Sequence, residues 1–212
     1  MPTSDHSRRN FIARALGAFG LTAFAKPALA NELTPPATEG PFYPSPAMRR
    51  ADVDNDLVKI IGSVQEAGGE VVTLKGRITD TDGTPLAEHR IEIWQCDLNG
   101  KYLHSGDRQA IEFVPSFQGF GHDITDSDGS YEFRTIKPVT YPGRTPHSHV
   151  KVFQGPSDSD REVLTSQFYI AGHSANRRDR IFNRLSESGA NAVSMAFEMI
   201  DGREQAVVNV VV

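Results

Sequence analysis

A chain of 212 residues with 38% hydrophobic and 23% charged residues has the length and composition of one globular domain with its own core. Its formal charge is −5 and becomes −8 without residues 1–30, which hold Arg8, Arg9, Arg14, Lys26 and Asp5. That balance argues against nucleic acid or an anionic membrane as a partner. The single cysteine, Cys96, leaves no intrachain disulfide to stabilise the fold.

The chain opens with Ser7-Arg8-Arg9-Asn10-Phe11-Ile12, an apolar run over 11–25, and the small-residue pattern Ala28-Leu29-Ala30. This predicts a twin-arginine signal peptide over 1–30, cleaved after Ala30, and a periplasmic or extracellular destination with no membrane contact after cleavage. The alternatives are a chance arginine pair before a general secretory signal, or an uncleaved anchor. Residues 31–60 contain Pro35, Pro36, Pro41, Pro44 and Pro46 and show little periodicity. They read as an extended arm laid over the domain, because Phe42 and Tyr43 would be costly to leave in water.

Residues 61–212 read as the domain itself, an all-β sandwich of two sheets with one short helix. Val72, Leu74 and Ile78 fall on one strand face, and Thr79-Asp-Thr-Asp82-Gly83 then reads as a hairpin turn. Further strands are expected over 90–96, 130–134, 147–153, 163–170, 192–200 and 206–212. The helix is expected over 176–185, with Ile181, Phe182 and Leu185 as its apolar stripe. The second Asp-x-Asp-Gly segment, 126–129, is also read as a turn, since neither has the spacing or final Glu of an EF-hand loop. Cys96, at a strand end, is expected to be an inert buried thiol.

The chemistry concentrates in Tyr141-Pro-Gly-Arg144-Thr-Pro-His147-Ser-His149. On a strand, side chains two apart share a face, so His147 and His149 aim at one spot as a half-built metal site. A Pro-Gly turn can fold Tyr141 back towards it. Tyr102, after Trp94-Gln-Cys-Asp97-Leu-Asn-Gly100-Lys, offers a second phenol. Taken singly, each residue reads as ordinary packing; together they are two phenols and two imidazoles.

With those blocks, and with Thr38-Glu-Gly40-Pro41-Phe-Tyr43-Pro in the arm and Ser166-Gln167-Phe-Tyr169 on a later strand, the sequence resembles the intradiol ring-cleavage dioxygenases. The resemblance is to the protocatechuate 3,4-dioxygenase and catechol 1,2-dioxygenase family, in a compact, exported form. It implies one non-haem Fe(III) per chain, held by Tyr102, Tyr141, His147 and His149. Phenolate is a hard anionic donor that favours ferric iron and argues against zinc. It further implies cleavage of a catechol-type diol with O2 to a cis,cis-muconate-type diacid. In that scheme substrate displaces Tyr141, Arg144 stabilises developing negative charge, and Gln167 lines the site. Gly40, Pro41, Tyr43 and Tyr169 would contribute walls. Ser148 between the histidines departs from many members, but its side chain should face away from the metal. Gly143 stands where some members carry a large aromatic, which suggests a roomier mouth, and the short loop from Tyr141 to His147 puts the reach of Arg144 in question.

Two other readings compete. A non-catalytic module of the transthyretin or carboxypeptidase-regulatory type would explain the first two strands and leave the ligand set as coincidence. An exported copper- or zinc-binding protein would use His147 and His149 with His104, His122 or His173. The apolar 207–212 end and the aromatic arm are the surfaces through which a homo-oligomer would form.

Overall fold

The computed structural model describes residues 31–212; the expected signal peptide, with Arg8, Arg9 and the 28–30 cleavage site, lies outside the described residues. Two mixed sheets face each other across one apolar core. The first is built on β1 (Val71–Thr79). One edge of β1 pairs antiparallel with β4 (Ser130–Ile136), and the other pairs in parallel with β9 (Arg203–Val207) and then β10 (Val210–Val211). The short strand β8 (Glu198–Ile200) pairs with β9 and completes this sheet.

The second sheet runs in the order β3 (Phe120–Ile124), β2 (Arg90–Trp94), β5 (His147–Phe153), β6 (Glu162–Ile170) and β7 (Ser194–Met195). Val72, Leu74, Ile78 and Phe133 of the first sheet meet Ile91, Ile93, Val150, Val152 and Phe168 of the second in the core. Strand alternation therefore sends Glu92, Trp94, His147, His149, Lys151 and Gln167 to the outer face of the second sheet. Ser148 points the other way, its hydroxyl donating to Gln95 Oε1 at 2.8 Å.

That outer face is covered by residues 31–60. Thr34 N donates to Val211 O, Ala37 N to Thr165 O, and Leu57 N to Arg134 O, so this stretch is tied successively to β10, β6 and β4. Leu57 and Val58 at its far end are fully buried in the core.

Several sequence expectations are corrected. Both Asp-x-Asp-Gly segments are tight turns, with Asp80 and Asp126 each accepting backbone N–H groups two and four residues on. The first closes a short hairpin on β1, as expected, with Thr79 bridged antiparallel to Pro85 and Leu86 N donating to Ile78 O; the second does not. The first leads from β1 in one sheet towards β2 in the other, and the second leads from β3 back to β4. The helix expected over 176–185 is two 3-10 turns, Ser174–Arg178 and Phe182–Arg184. The Asp179 carboxylate takes the N–H groups of Ile181 and Phe182 and so competes with a continuous helical ladder. The α-helix, α1, is Glu187–Ala192, capped by Ser186 accepting from Gly189 N. The strands expected over 192–200 and 206–212 are each divided, between β7 and β8 and between β9 and β10.

Candidate metal centre and active site

The His-x-His spacing on β5 does what strand geometry requires of it. Both rings lie on the outer face, and their Nε2 atoms approach to 3.2 Å. His147 Nδ1 is 2.7 Å from Thr145 O, which fixes the proton on Nδ1 and leaves the Nε2 lone pair facing the centre. Burial, then the nearby Arg144 charge, pulls His147 down to about 4. Burial followed by the charges of His147 and Arg144 holds His149 well below the usual imidazole range. Both are neutral at physiological pH, which is the metal-binding form.

The His149 ring is held in place by packing. Trp94, its cross-strand neighbour, stacks on it with centroids 4.8 Å apart and planes 9° from parallel. Gly40 also lies close to it, and an added Cβ there would come within 3.1 Å of His149 Cε1. Its φ of +76° suits glycine for a second reason.

Two phenols complete the cluster. Tyr102 follows a turn in which Asp97 accepts from Asn99 N and Lys101 N, and Asp107 Oδ2 accepts from Tyr102 N. Its ring meets Tyr141 edge-on at 5.3 Å and stands 6.2 Å from His149. Tyr141 is brought back by the Pro-Gly turn, with Arg144 N donating to Tyr141 O, and its ring is 5.5 Å from His147.

The Tyr102 hydroxyl is buried and, among the described residues, has no hydrogen-bond partner; the same holds for His149 Nδ1. An unpartnered buried hydroxyl costs about 1–3 kcal/mol. Burial pushes both phenols up, for Tyr141 against the opposing pull of Arg144. A cation at the convergence point would reverse that penalty by stabilising phenolate. Two phenols and two neutral imidazoles fit a hard trivalent ion, and a ferric ion suits the donor set. Among the described residues, no three His, Cys, Asp or Glu side chains form an alternative metal cluster. His173 instead caps a 3-10 turn through Ala175 N.

Arg144 does reach the centre. Its Nη1 is 3.4 Å from both Tyr141 Oη and His147 Nε2, while Nη2 donates to Gln167 Oε1 at 2.6 Å. Gln167 also accepts from Tyr169 Oη at 2.9 Å and donates to Thr38 O at 2.8 Å, which joins β6 to the arm.

Asp179 is the residue that sequence reasoning missed. Its fully buried carboxylate accepts from Arg144 Nε at 2.7 Å and from Thr145 N at 3.0 Å. Burial raises its pKa, but those bonds and that from Phe182 N prevail and leave it below the usual value. The readable signal was an Asp just before Ile181 and Phe182 in a segment otherwise rich in arginine.

Tyr43 does not stand where a substrate wall was expected. Its hydroxyl donates to the buried Glu92 at 2.7 Å, and its ring packs edge-on against Trp94, behind the histidine. Phe42 takes the place at the centre, stacked on Tyr102 at 4.7 Å and 6.2 Å from Tyr141. Pro41 is exposed beside it. The solitary thiol, Cys96, is buried, 3.7 Å from Val139 O, and pushed up to about 12, chiefly by burial.

Comparison with known proteins bears on the family of the chain. A family model described as Dioxygenase matches residues 38–183, well over half of the chain. The chain is 32% identical over 154 residues to the protocatechuate 3,4-dioxygenase beta chain of Burkholderia cepacia, covering 69% of this chain and 64% of that one. It is similar to the dioxygenase domain of a dioxygenase carbohydrate-binding protein fusion from Streptomyces sp. SirexAA-E, with 29% identity and a TM-score of 0.64 over 85% of this chain and 98% of that domain. An intradiol ring-cleavage dioxygenase from Tetranychus urticae shares the fold at 17% identity, with a TM-score of 0.66 over 85% of this chain and 94% of that one. The chain spans less than two thirds of the length of the curated relatives it matches first. From the ring cluster on β5, the arm that covers it and the match over residues 38–183, the chain belongs to the intradiol ring-cleavage dioxygenase family.

Proposed function

We propose that this chain is a non-haem Fe(III) dioxygenase that cleaves an aromatic ortho-diol between its two hydroxyl-bearing carbons. Both atoms of O2 would enter the product, a cis,cis-muconate-type diacid. Tyr102, Tyr141, His147 and His149 would hold one ferric ion per chain. The observation that carries this reading is the convergence of two neutral imidazole Nε2 atoms 3.2 Å apart with a buried phenol that has no other partner among the described residues.

A ferric ion there would supply Lewis acidity, drawing electron density from a chelated diol so that the ring itself reacts with O2. The rest is the work of this chain's residues. Tyr141 is the half-buried phenol of the pair and the one that Arg144 touches, so it is the residue free to leave the centre and take a proton from the incoming diol. Arg144 holds a fixed positive charge beside that position, suited to negative charge developing on the substrate oxygens. Gln167 and Asp179 hold the guanidinium at both ends. Phe42 and the Gly40 flank exclude water from the rings.

The test is a visible absorption spectrum of the iron-analysed protein before and after anaerobic catechol. A tyrosinate-to-ferric band that shifts with the diol, together with O2 consumption on aeration, supports the reading. A protein that stays colourless after ferric loading would sink it. Tyr141→Phe discriminates further, since an incidental tyrosine would leave colour and turnover unchanged. We infer in addition that the chain is exported through the twin-arginine route on the strength of Arg8, Arg9 and the 28–30 pattern. Replacing both arginines by lysine should hold the protein in the cytoplasm, which cell fractionation reads directly.

A further inference from the structure

The segment after β6 carries Arg177, Arg178, Arg180 and Arg184, all exposed, in a chain whose formal charge is −5. Among the described residues, the arginines in ion pairs are Arg49, Arg77, Arg90, Arg134 and Arg144. The four arginines of this segment are not among them. The segment borders the centre, because Asp179 within it anchors Arg144.

A cavity of about 400 Å³ opens on that side of Tyr141, lined by Gly143, Arg144, Ala175, Arg178 and Asp179 among others. Its charge does not cancel. Asp179 is spent on Arg144, which leaves Arg178 as the unbalanced charge of the wall. Nothing lies within 4 Å of where a Gly143 Cβ would stand, so this flank has room for a substituent. The volume falls within the range of small-molecule sites and exceeds the needs of a bare diol ring.

We propose that this cavity is a subsite for an acidic side arm. The preferred substrate is an aromatic ortho-diol that carries a carboxylate on a short carbon chain. The diol ring occupies the Tyr141–His147 centre, the arm runs along the Gly143 flank, and Arg178 meets the carboxylate. Arg177 and Arg180, exposed and within two residues of Arg178 along the chain, add a positive field that speeds the arrival of anions and weakens with salt. The proposal rests on the dioxygenase reading above and names the substrate class that this particular chain selects.

The experiment uses the ferric protein and two ligands that differ by one charge, 3,4-dihydroxycinnamate and its methyl ester. Affinity is read anaerobically from the shift of the tyrosinate–ferric band, and kcat/KM from O2 uptake. The acid is expected to be favoured over the ester by about fivefold at low salt, the size of one exposed charge pair, with the preference shrinking as ionic strength rises. Arg178→Gln should erase most of that ratio and Arg178→Lys should keep much of it. Arg203→Gln, an equal change in net charge on β9, should leave the ratio as it was. Equal binding of acid and ester by the unaltered protein overturns the subsite, as does an Arg203→Gln effect as large as that of Arg178→Gln. If neither ligand shifts any ferric band, the dioxygenase reading falls and takes the subsite with it. If both shift it equally and are cleaved equally, the subsite alone falls.

Discussion

The sandwich has two outer faces built from the same alternating strands, and they have had opposite fates. On the first sheet, Lys75, Arg77, Glu132 and Val207 flank an open groove of about 730 Å³, and the Arg77–Asp128 pair there is about half exposed. On the second sheet, Glu92, His149 and Gln167 are at most 1% exposed, and Arg90 and Lys151 at most 9%. Polar residues buried on the side away from the core need a reason, since each must find partners once water is removed. The reason is the 31–60 stretch. It brings Glu39 to Lys151, Tyr43 to Glu92 and the Thr38 carbonyl to Gln167, and it closes Gly40 against His149. A covered polar face holds its charges in fixed positions and would shield a bound metal, whereas the bare face behaves as solvated surface.

That contrast is open to direct attack, beginning where the effect should be largest. His149→Ala should lower ferric occupancy and turnover by at least about a hundredfold, measured by iron content and O2 uptake. Lys75→Ala on the bare face should change neither.

Asp179→Asn comes next. It removes the charge that balances Arg144, and breaking a buried pair costs about 3 kcal/mol. The melting temperature should drop by several degrees at neutral pH, and kcat should fall by about tenfold with the ferric band retained. The direction with pH is set by the lowered pKa of Asp179. Its contribution is present above the unfolded carboxylate pKa of about 3.9 and is lost as pH falls through the depressed folded value. The variant and the parent should therefore converge in acid unfolding curves, and a constant gap across pH would contradict the pairing.

Gly40→Ala and Gly143→Ala form a matched pair, with φ of +76° and +82°. Both should lose about 1 kcal/mol of stability from the left-handed backbone. Gly40→Ala should in addition shift the ferric band by crowding His149, and Gly143→Ala should not. The smallest effect belongs to Arg77→Ala, for which thermal unfolding should be indistinguishable from the parent, since exposed pairs contribute little.

Local patterns reached a long way into this molecule. The alternation of Val72, Leu74 and Ile78 placed β1, and the period of two placed His147 and His149 together with Ser148 turned away. Other elements lay beyond such patterns. Strand β3, Phe120-Gly-His-Asp-Ile, has no branched alternation to announce it, and its pairing with β2 provides the order that its composition lacks. The helix over 176–185 failed because a periodic apolar stripe says nothing of a side chain that takes backbone donors for itself, as Asp179 does. Tyr43 and Phe42 are adjacent in an irregular segment, and no period says which of the two turns inward.

The sequence by itself determined the β character of the chain, the face shared by the two histidines and the presence of two phenols able to join them. Those features depend on neighbours a few residues apart, where strand geometry is rigid and carries information reliably. Only the tertiary structure decided that the chain crosses between sheets after each Asp-x-Asp-Gly turn, that Arg144 is gripped by Asp179 and Gln167, and that Phe42 and not Tyr43 meets the rings. Each of these joins residues distant along the chain. Which distant groups meet depends on how the sheets stack and where the arm lies, and a local pattern does not encode that.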